Sequence, residues 1–172
     1  MIRCCVSVFA LSLMVLALSC GAADNGDTRS LEGKAAPDFT LTTLQGETVK
    51  LSAMKGNVVV IDFWATWCPP CRKSLPHLQA LSANKDLAAK GLRVWAVNLR
   101  ESKEKVEQFM KDNNYTFSVP MDQNGQVART YLVQGIPTTV IVGKDGNIKN
   151  VFVGFGAGSE KRMDEAIEAA LK

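Results

Sequence analysis

Several signatures of common functional classes are missing from this sequence. Its 172 residues include one histidine, His77, and neither a polybasic block nor an interleaving of aromatic and basic residues, so nothing indicates a nucleic-acid partner. There is no internal repeat and no low-complexity tract. The charge is small, at +3, and 47% of the residues are hydrophobic. This composition is typical of one globular domain with a short appendage.

No apolar run is long enough to span a membrane. The longest, Val6–Leu18, falls short of the ~20 residues that a transmembrane helix needs. It follows a positive start, Met1–Arg3, and precedes the small residues at positions 19–23. This order predicts a secretory signal peptide over residues 1–23, and therefore export.

Two cleavage sites fit the end of this signal. Cleavage after Ala23 would follow the small residues Gly21 and Ala22. Alternatively, the residues before Cys20 resemble a bacterial lipobox, in which the cysteine is lipidated and becomes the first residue. The match is imperfect, because Ala17 stands where a lipobox usually has leucine. Cys20 is therefore a lipidation candidate, and a lipid anchor would be the only membrane attachment.

Cysteine is scarce outside the signal region. Cys4 and Cys5 would leave with the signal peptide, and Cys20 would be removed or lipidated. Only Cys68 and Cys71 would remain as thiols in the exported domain. A single close pair is not a disulfide framework, and a domain of this size can bury a core without one. The pair therefore needs a chemical explanation.

The remaining chain alternates between strand and helix patterns. Residues 24–34 are polar and predict a linker, and residues 35–172 predict one domain. The alternation predicts an α/β fold with a largely parallel central sheet that ends in an antiparallel pair. The predicted elements are a hairpin around Gln45–Gly46, a strand at Val58–Phe63, a helix after the cysteines, a strand at Leu92–Leu99, a helix within Ser102–Asn113, a strand at Phe117–Pro120, a helix at Gln126–Val133, a hairpin of Thr138–Val142 and Ile148–Phe155, and a last helix capped by Ser159.

The two cysteines follow a predicted buried strand and open a helix. A helix N-terminus carries partial positive charge and free N–H groups, which favour a thiolate. Cys68 is then the exposed, attacking sulfur, and Cys71, one turn further, is more buried and resolves the mixed disulfide. Pro69 and Pro70 suit a helix start, where a missing N–H costs little.

Two other uses of the pair remain open. A zinc site needs about four ligands, and the exported domain offers Cys68, Cys71 and His77 without a second Cys-x-x-Cys. A purely structural disulfide would close a very small loop and would contribute little to stability. Neither use is favoured, and His77 is interpreted as a partly exposed helix residue without a role.

Two residues distant from the pair suit thiol exchange. Asp62 lies inside the apolar run before the cysteines; if buried, its pKa would rise and it could exchange a proton with Cys71. The alternative is an outward-facing aspartate at the end of a strand. Ile136 and Pro137 open a later strand, and a cis bond between them would present backbone opposite Cys68 to a substrate chain. Spacing alone leaves both peptide isomers open.

These residues together resemble the thioredoxin superfamily. The resemblance is carried by Asp62–Cys71, by Pro76 and by Gly135–Thr138. More narrowly, Gly33–Leu41, the hairpin after it and the extra helix–strand at Ser102–Pro120 are similar to the TlpA/ResA-like exported thiol–disulfide oxidoreductases. The resemblance extends from Gly33 to the C-terminus.

The resemblance implies a fold and a site. The fold would be a thioredoxin fold, with a central mixed β-sheet flanked by helices, an N-terminal β-hairpin and an inserted helix–strand. Cys68 would be the nucleophile, Cys71 the resolving thiol and Asp62 the buried acid, with no cofactor beyond the Cys68–Cys71 disulfide and no metal. The substrate groove would hold Pro137 as a cis-proline together with Ile136, Trp67, Pro69 and Pro70, and Trp64 and Pro76 would lie near the site.

The resemblance also implies a function and a place. The protein would act in the bacterial periplasm or on the outer face of the membrane, as a reductant of client disulfides. Electrons would come from a membrane thiol donor, and the haem-binding cysteines of apocytochrome c are the most natural clients. The chain departs from the family in one position near the cysteines: Ser74 stands where ResA-like proteins often have glutamate, so acid–base tuning of the site by that glutamate is not expected here.

Two alternative functions belong to other classes. The Ala36–Phe39 opening is shared with peroxiredoxin-like thiol peroxidases, but Ile61 and Ala65 replace the proline and threonine of their cysteine motif. Copper or metal delivery by a Cys/His site is the second alternative. Proteins of that kind tend to have Cys-x-x-x-Cys and a distant histidine, and this chain has neither.

Overall fold

A computed structural model describes residues 26–172. The predicted signal peptide, including Cys20, lies outside these residues. The strands are β1 (Thr40–Thr42), β2 (Thr48–Lys50), β3 (Val58–Trp64), β4 (Leu92–Leu99), β5 (Met121–Asp122), β6 (Thr138–Val142) and β7 (Ile148–Val153), and the helices are α1 (Pro69–Ala83), α2 (Lys85–Ala89), α3 (Lys103–Asp112), α4 (Gln126–Thr130) and α5 (Ser159–Leu171). Single 3-10 turns occur at Thr28–Leu31 and Leu51–Met54.

Five strands form one mixed sheet in the order β5-β4-β3-β6-β7. Strands β5, β4 and β3 pair in parallel, whereas β6 pairs antiparallel with both β3 and β7. The prediction of a largely parallel sheet was therefore wrong, because only two of the four strand pairings are parallel and the other two are antiparallel. The mixed thioredoxin-type sheet is confirmed, and β1 and β2 form the predicted separate hairpin.

Helices and loops cover both faces of the sheet. Strand β3 is buried along its whole length, so its alternate side chains enter two different cores. The core under α1, α3 and α5 includes Val60, Trp64, Cys68, Cys71, Leu75, Leu78, Val106, Phe117, Met163 and Ile167. The core under α4 and the N-terminal segment includes Phe39, Ile61, Phe63, Trp95, Val127, Tyr131 and Val140.

The N-terminal segment closes an open edge of the sheet. Gly33 donates its N–H to the carbonyl of Ile148 at 2.8 Å, and Ile148 donates to Lys34 at 2.9 Å. Thr28 is buried and donates its hydroxyl to the carbonyl of Leu132. The described part of the predicted linker 24–34 is thus packed on the domain, where it pairs with backbone groups that β7 would otherwise leave unpaired.

No helix within residues 26–172 is long and apolar enough to cross a membrane.

Three further elements differ from prediction. The strand expected at Phe117–Pro120 lies at Met121–Asp122, because Pro120 has no N–H to donate and the residues before it make only isolated bridges. Helix α2 was missed; the side chain of Asn84 caps it by accepting two backbone N–H groups. The residue that caps α5 is Gly158, and Ser159 is the first helical residue.

Candidate active site

The two cysteines form a disulfide at the start of α1. Their sulfurs are 2.04 Å apart, and Cys68 is the N-cap residue. The Sγ of Cys68 accepts the backbone N–H of Cys71 at 3.2 Å. Pro69 and Pro70 occupy the first two helical positions, where no intrahelical donor is lost. The sulfur of Cys68 therefore lies where a helix favours negative charge.

The disulfide is less accessible than expected. Cys68 is only 2% exposed and Cys71 is fully buried, so the prediction of an exposed Cys68 was wrong in degree. The covering group is the Ile136 carbonyl, whose oxygen lies 3.6 Å from the Sγ of Cys68. The exposed surface next to the disulfide belongs to Pro69 and to Trp67, which is 64% exposed.

The loop opposite Cys68 is held by hydrogen bonds to its backbone carbonyls. The Ile136–Pro137 peptide bond is cis, and Pro137 is buried. The carbonyl of Pro137 accepts the N–H of Gly154 at 2.8 Å, and Thr138 donates its hydroxyl to the carbonyl of Gly135 at 2.7 Å. These bonds fix the chain direction on both sides of Ile136, which stays half-buried beside the disulfide.

Asp62 lies in the centre of β3, on the face covered by α1. It falls between Val60 and Trp64, which both belong to the core that contains Cys71. Asp62 is fully buried, and its Oδ1 accepts the hydroxyl of Thr139 at 2.6 Å. Its Oδ2 has no hydrogen-bond partner among the described residues. The alternative of an outward-facing aspartate at a strand end is therefore wrong.

Burial controls the protonation of this carboxyl. It raises the pKa of Asp62 to about 7, and the hydrogen bond from Thr139 opposes that rise only in part. A carboxyl with this pKa exists in both protonation states near neutral pH. It can therefore accept and return a proton, as general acid–base chemistry requires.

Trp64 and Pro76 were both expected near the site. Trp64 is completely buried, donates its indole N–H to the carbonyl of Ala96 at 3.0 Å and shares the core of both cysteines. Pro76 is exposed inside α1, where it removes the N–H that would bond the carbonyl of Arg72. Trp64 thus packs beneath the two cysteines, and Pro76 removes one hydrogen bond from the helix that carries them.

Ser74 occupies the position at which ResA-like proteins often have glutamate. It is buried, and its hydroxyl donates to the carbonyl of Cys71 at 2.9 Å. The side chain is thus engaged within its own helix. It contributes no ionisable group, which leaves Asp62 as the buried carboxyl on this face of β3.

Sequence reasoning missed Glu101. The residue is 7% exposed, and its carboxylate accepts the backbone N–H and the hydroxyl of Thr66, both at 2.7 Å. Asn98 donates to it at 2.9 Å, and Lys105 forms an ion pair at 2.7 Å. Burial alone would raise the pKa of Glu101, but these hydrogen bonds together hold it below its usual value. Glu101 therefore anchors the loop that leads into Cys68.

Within residues 26–172, no three His, Cys, Asp or Glu side chains are grouped so that they could hold a metal ion. The Nε2 of His77 lies 3.1 Å from the carboxylate of Asp164 in α5, but it makes no hydrogen bond among the described residues. His77 thus lies next to an acidic side chain of another helix.

Comparisons with known proteins agree with this geometry. The model of the AhpC/TSA family matches residues 33–151, which include the disulfide and the cis-proline. The thiol-disulfide oxidoreductase ResA of Oceanobacillus iheyensis is 39% identical over 71% of this chain and 65% of its own length. ResA of Bacillus subtilis is 37% identical over 72% of this chain and 68% of its own length. The chain thus spans about two thirds of these relatives.

Solved structures point the same way. A structure from Chlorobium tepidum, assigned as the thiol:disulfide interchange protein DsbE, superposes with a TM-score of 0.76 and is 38% identical. The match covers 82% of this chain and 98% of that one. The family match, the curated relatives and the shared fold lead to one conclusion. The chain belongs to the AhpC/TSA family, and within it to the thioredoxin-fold, ResA-like thiol–disulfide oxidoreductases.

Proposed function

We propose that this chain is an exported oxidoreductase that reduces disulfides of client proteins through Cys68 and Cys71. The observation that carries the proposal is the placement of the disulfide, which closes the first turn of α1 beside the Ile136 carbonyl. A client chain lying along Ile136 and Trp67 would bring its own disulfide to Cys68. Pro137, Pro69 and Pro70 would complete that contact surface.

The first step forms a mixed disulfide. In the reduced protein, the Cys68 thiolate attacks one sulfur of the client disulfide. The bond between Cys68 and that sulfur forms as the client S–S bond breaks, and the second client sulfur leaves as a thiolate that takes up a proton from water. The helix N-terminus and the N–H of Cys71 stabilise the attacking thiolate.

The second step regenerates the disulfide. Asp62 accepts the proton of the Cys71 thiol, and the Cys71 thiolate attacks the Sγ of Cys68. The bond between Cys68 and the client breaks, and the client sulfur leaves as a thiolate that takes up a proton from water, while Asp62 returns its proton to the solvent. Two electrons have then moved from the protein to the client. A dithiol donor at the membrane would restore Cys68 and Cys71 and would itself become a disulfide.

The N-terminal sequence supports the proposed setting. Residues 1–23 have the pattern of a signal peptide, and lipidation of Cys20 would keep the protein on the outer face of the membrane. The periplasm or that surface is where oxidised apocytochrome c would need its haem-binding cysteines reduced. We propose these cysteines as clients on the strength of the ResA-like resemblance.

The reduction potential tests the direction of electron flow. The exported protein would be equilibrated in dithiothreitol or glutathione redox buffers, and the fluorescence of Trp67 beside the disulfide would report its redox state. A reductant should have a potential near that of thioredoxin, about −270 mV, or lower. A potential near about −120 mV, as in strong oxidants, would contradict the proposed direction.

Peroxide reduction is the competing activity within the same family. A peroxidase would be expected to have a threonine hydroxyl at position 65, but Ala65 stands there, and the hydroxyl of the next residue, Thr66, is bonded to Glu101. The reduced protein should therefore consume hydrogen peroxide no faster than a free thiol of similar pKa. Rapid peroxide turnover that Cys68→Ser abolishes would favour the peroxidase.

A further inference from the structure

A groove extends from the exposed side of the disulfide toward two arginines. It has a volume of about 540 Å³. Trp67 and Ile136 line one end, Leu99 and Val133 contribute further apolar surface, and Arg100 and Arg129 supply the charge. No aspartate or glutamate lines it. We call this surface the Arg100/Arg129 groove.

The position of the Arg100 side chain depends on a glycine. Arg100 has a left-handed backbone with φ of 56°, which is uncommon for a residue with a side chain. Its guanidinium lies against Gly125, where an added Cβ would come within 2.3 Å of the Arg100 Nε. Gly125 is itself left-handed, with φ of 68°. The absence of a side chain at residue 125 therefore makes room for this guanidinium in the groove.

Arg129 presents a second guanidinium from α4. Its Nη1 donates to the carbonyl of Asn124 at 2.9 Å, which orients the group. Both arginines are exposed. Among the described residues, neither forms an ion pair with a carboxylate within 4.0 Å. Two oriented and unneutralised guanidinium groups beside an apolar wall suit a segment that carries both apolar and acidic side chains.

We propose that the Arg100/Arg129 groove selects client segments with an aspartate or glutamate close to the cysteine that joins Cys68. This inference rests on the proposed function, because it names the clients that the disulfide would reduce. An apolar residue of the client would pack on Trp67 and Ile136, and its carboxylate would bind the arginines. A guanidinium pairs with a carboxylate through two parallel hydrogen bonds. A lysine at the same client position would instead meet two like charges and would be rejected.

The test uses three disulfide-bonded peptides that differ at one position near the reactive cysteine, occupied by glutamate, glutamine or lysine. The full-length chain, expressed in a host that exports it, would be reduced, and kcat/KM for each peptide measured at fixed ionic strength. The ratio of kcat/KM for the glutamate peptide to that for the glutamine peptide measures how strongly the groove prefers an acidic side chain. The rate for the glutamine peptide alone reports the disulfide chemistry.

Two matched variants separate the groove from net charge. Arg100→Gln with Arg129→Gln should lower the glutamate-to-glutamine ratio about three- to tenfold, the range expected for two partly exposed ion pairs. Lys85→Gln with Lys161→Gln removes the same charge outside the groove and should leave the ratio at the wild-type value. Arg100→Glu with Arg129→Glu inverts the charge of the groove and should reverse the order of the glutamate and lysine peptides.

Three results would overturn the inference. One is a wild-type ratio of one, and another is an unchanged ratio in the double arginine variant. The third is an equal fall in the double lysine variant, which would assign the effect to long-range charge. Failure of the wild-type protein to reduce even the glutamine peptide would instead contradict the proposed function itself, and the inference with it.

Discussion

The buried carboxyl of Asp62 should make the stability of this fold depend on pH. Burial raises its pKa from 3.8 to about 7. A raised pKa means that the folded state binds the proton more tightly than the unfolded chain does. The stabilisation from the protonated carboxyl is therefore complete below pH 3.8 and is lost as the pH rises to about 7. A shift of about 3 units corresponds to about 4 kcal/mol of unfolding free energy.

Asp62→Asn removes this dependence while it keeps the shape of the side chain. Asparagine cannot ionise, and its oxygen can still accept the hydroxyl of Thr139. The variant should therefore match the wild type near pH 3.5 and exceed its stability by about 2–4 kcal/mol above pH 7.5. Urea unfolding of the oxidised proteins, followed by tryptophan fluorescence from pH 3.5 to 8.5, measures the difference.

The same variant should lose activity as it gains stability. Without a proton acceptor for Cys71, reduction of client disulfides at pH 7 should slow on the order of 10²-fold.

Asp145→Asn is the control for the stability measurement, and its effect on stability should have the opposite sign, since hydrogen bonds from Lys149 and Asn147 lower the pKa of Asp145 to about 2. That replacement should reduce stability at neutral pH, and its effect should disappear as the pH falls toward 2. A stability difference for Asp62→Asn that stays constant from pH 4 to 8 would refute the reasoning.

Three further changes have defined outcomes. Glu101→Gln removes an acceptor from several buried donors and should cost about 2–3 kcal/mol in urea unfolding, whereas Glu107→Gln on the exposed face of α3 should cost at most about 0.5 kcal/mol; equal losses would contradict the anchoring role. Tyr131→Phe loses the hydrogen bond to the carbonyl of Pro37 and should cost about 1 kcal/mol in the same assay, so an unchanged stability would show that the bond contributes nothing. Cys20→Ala should abolish incorporation of radiolabelled palmitate by the exported chain; persistent labelling would contradict lipidation there.

Some elements of the fold were predictable because their signal is local. Strand β4 has the predicted bounds, Leu92–Leu99, because most of its residues are apolar or β-branched, and the predicted hairpin of β6 and β7 forms around a turn that contains Asp145 and Gly146. The strand at Phe117–Pro120 was misplaced because its pairing with β4 is decided by register and by the missing N–H of Pro120. Apolar content alone does not determine that register.

The residues of the site also divide into those with a local sequence signal and those that depend on contacts between distant parts of the chain. Asp62 could be singled out because a charge inside an apolar run is costly without a partner or a function. Glu101 could not, because a glutamate beside a predicted helix looks like an ordinary surface acid. Two of its hydrogen bonds come from Thr66, which lies 35 positions earlier in the chain. The covering of Cys68 by Ile136, 68 positions away, likewise depends on how the sheet brings distant loops together.

Trapping of the mixed disulfide tests the central claim most directly. The Cys71→Ser variant, reduced and mixed with insulin as a disulfide client, should accumulate a covalent adduct through Cys68 that mass spectrometry detects and dithiothreitol releases. Cys68→Ser should form no adduct and should lose insulin reduction. An adduct that forms through Cys71 in Cys68→Ser, or full insulin reduction by that variant, would contradict the assignment of Cys68 as the attacking thiol.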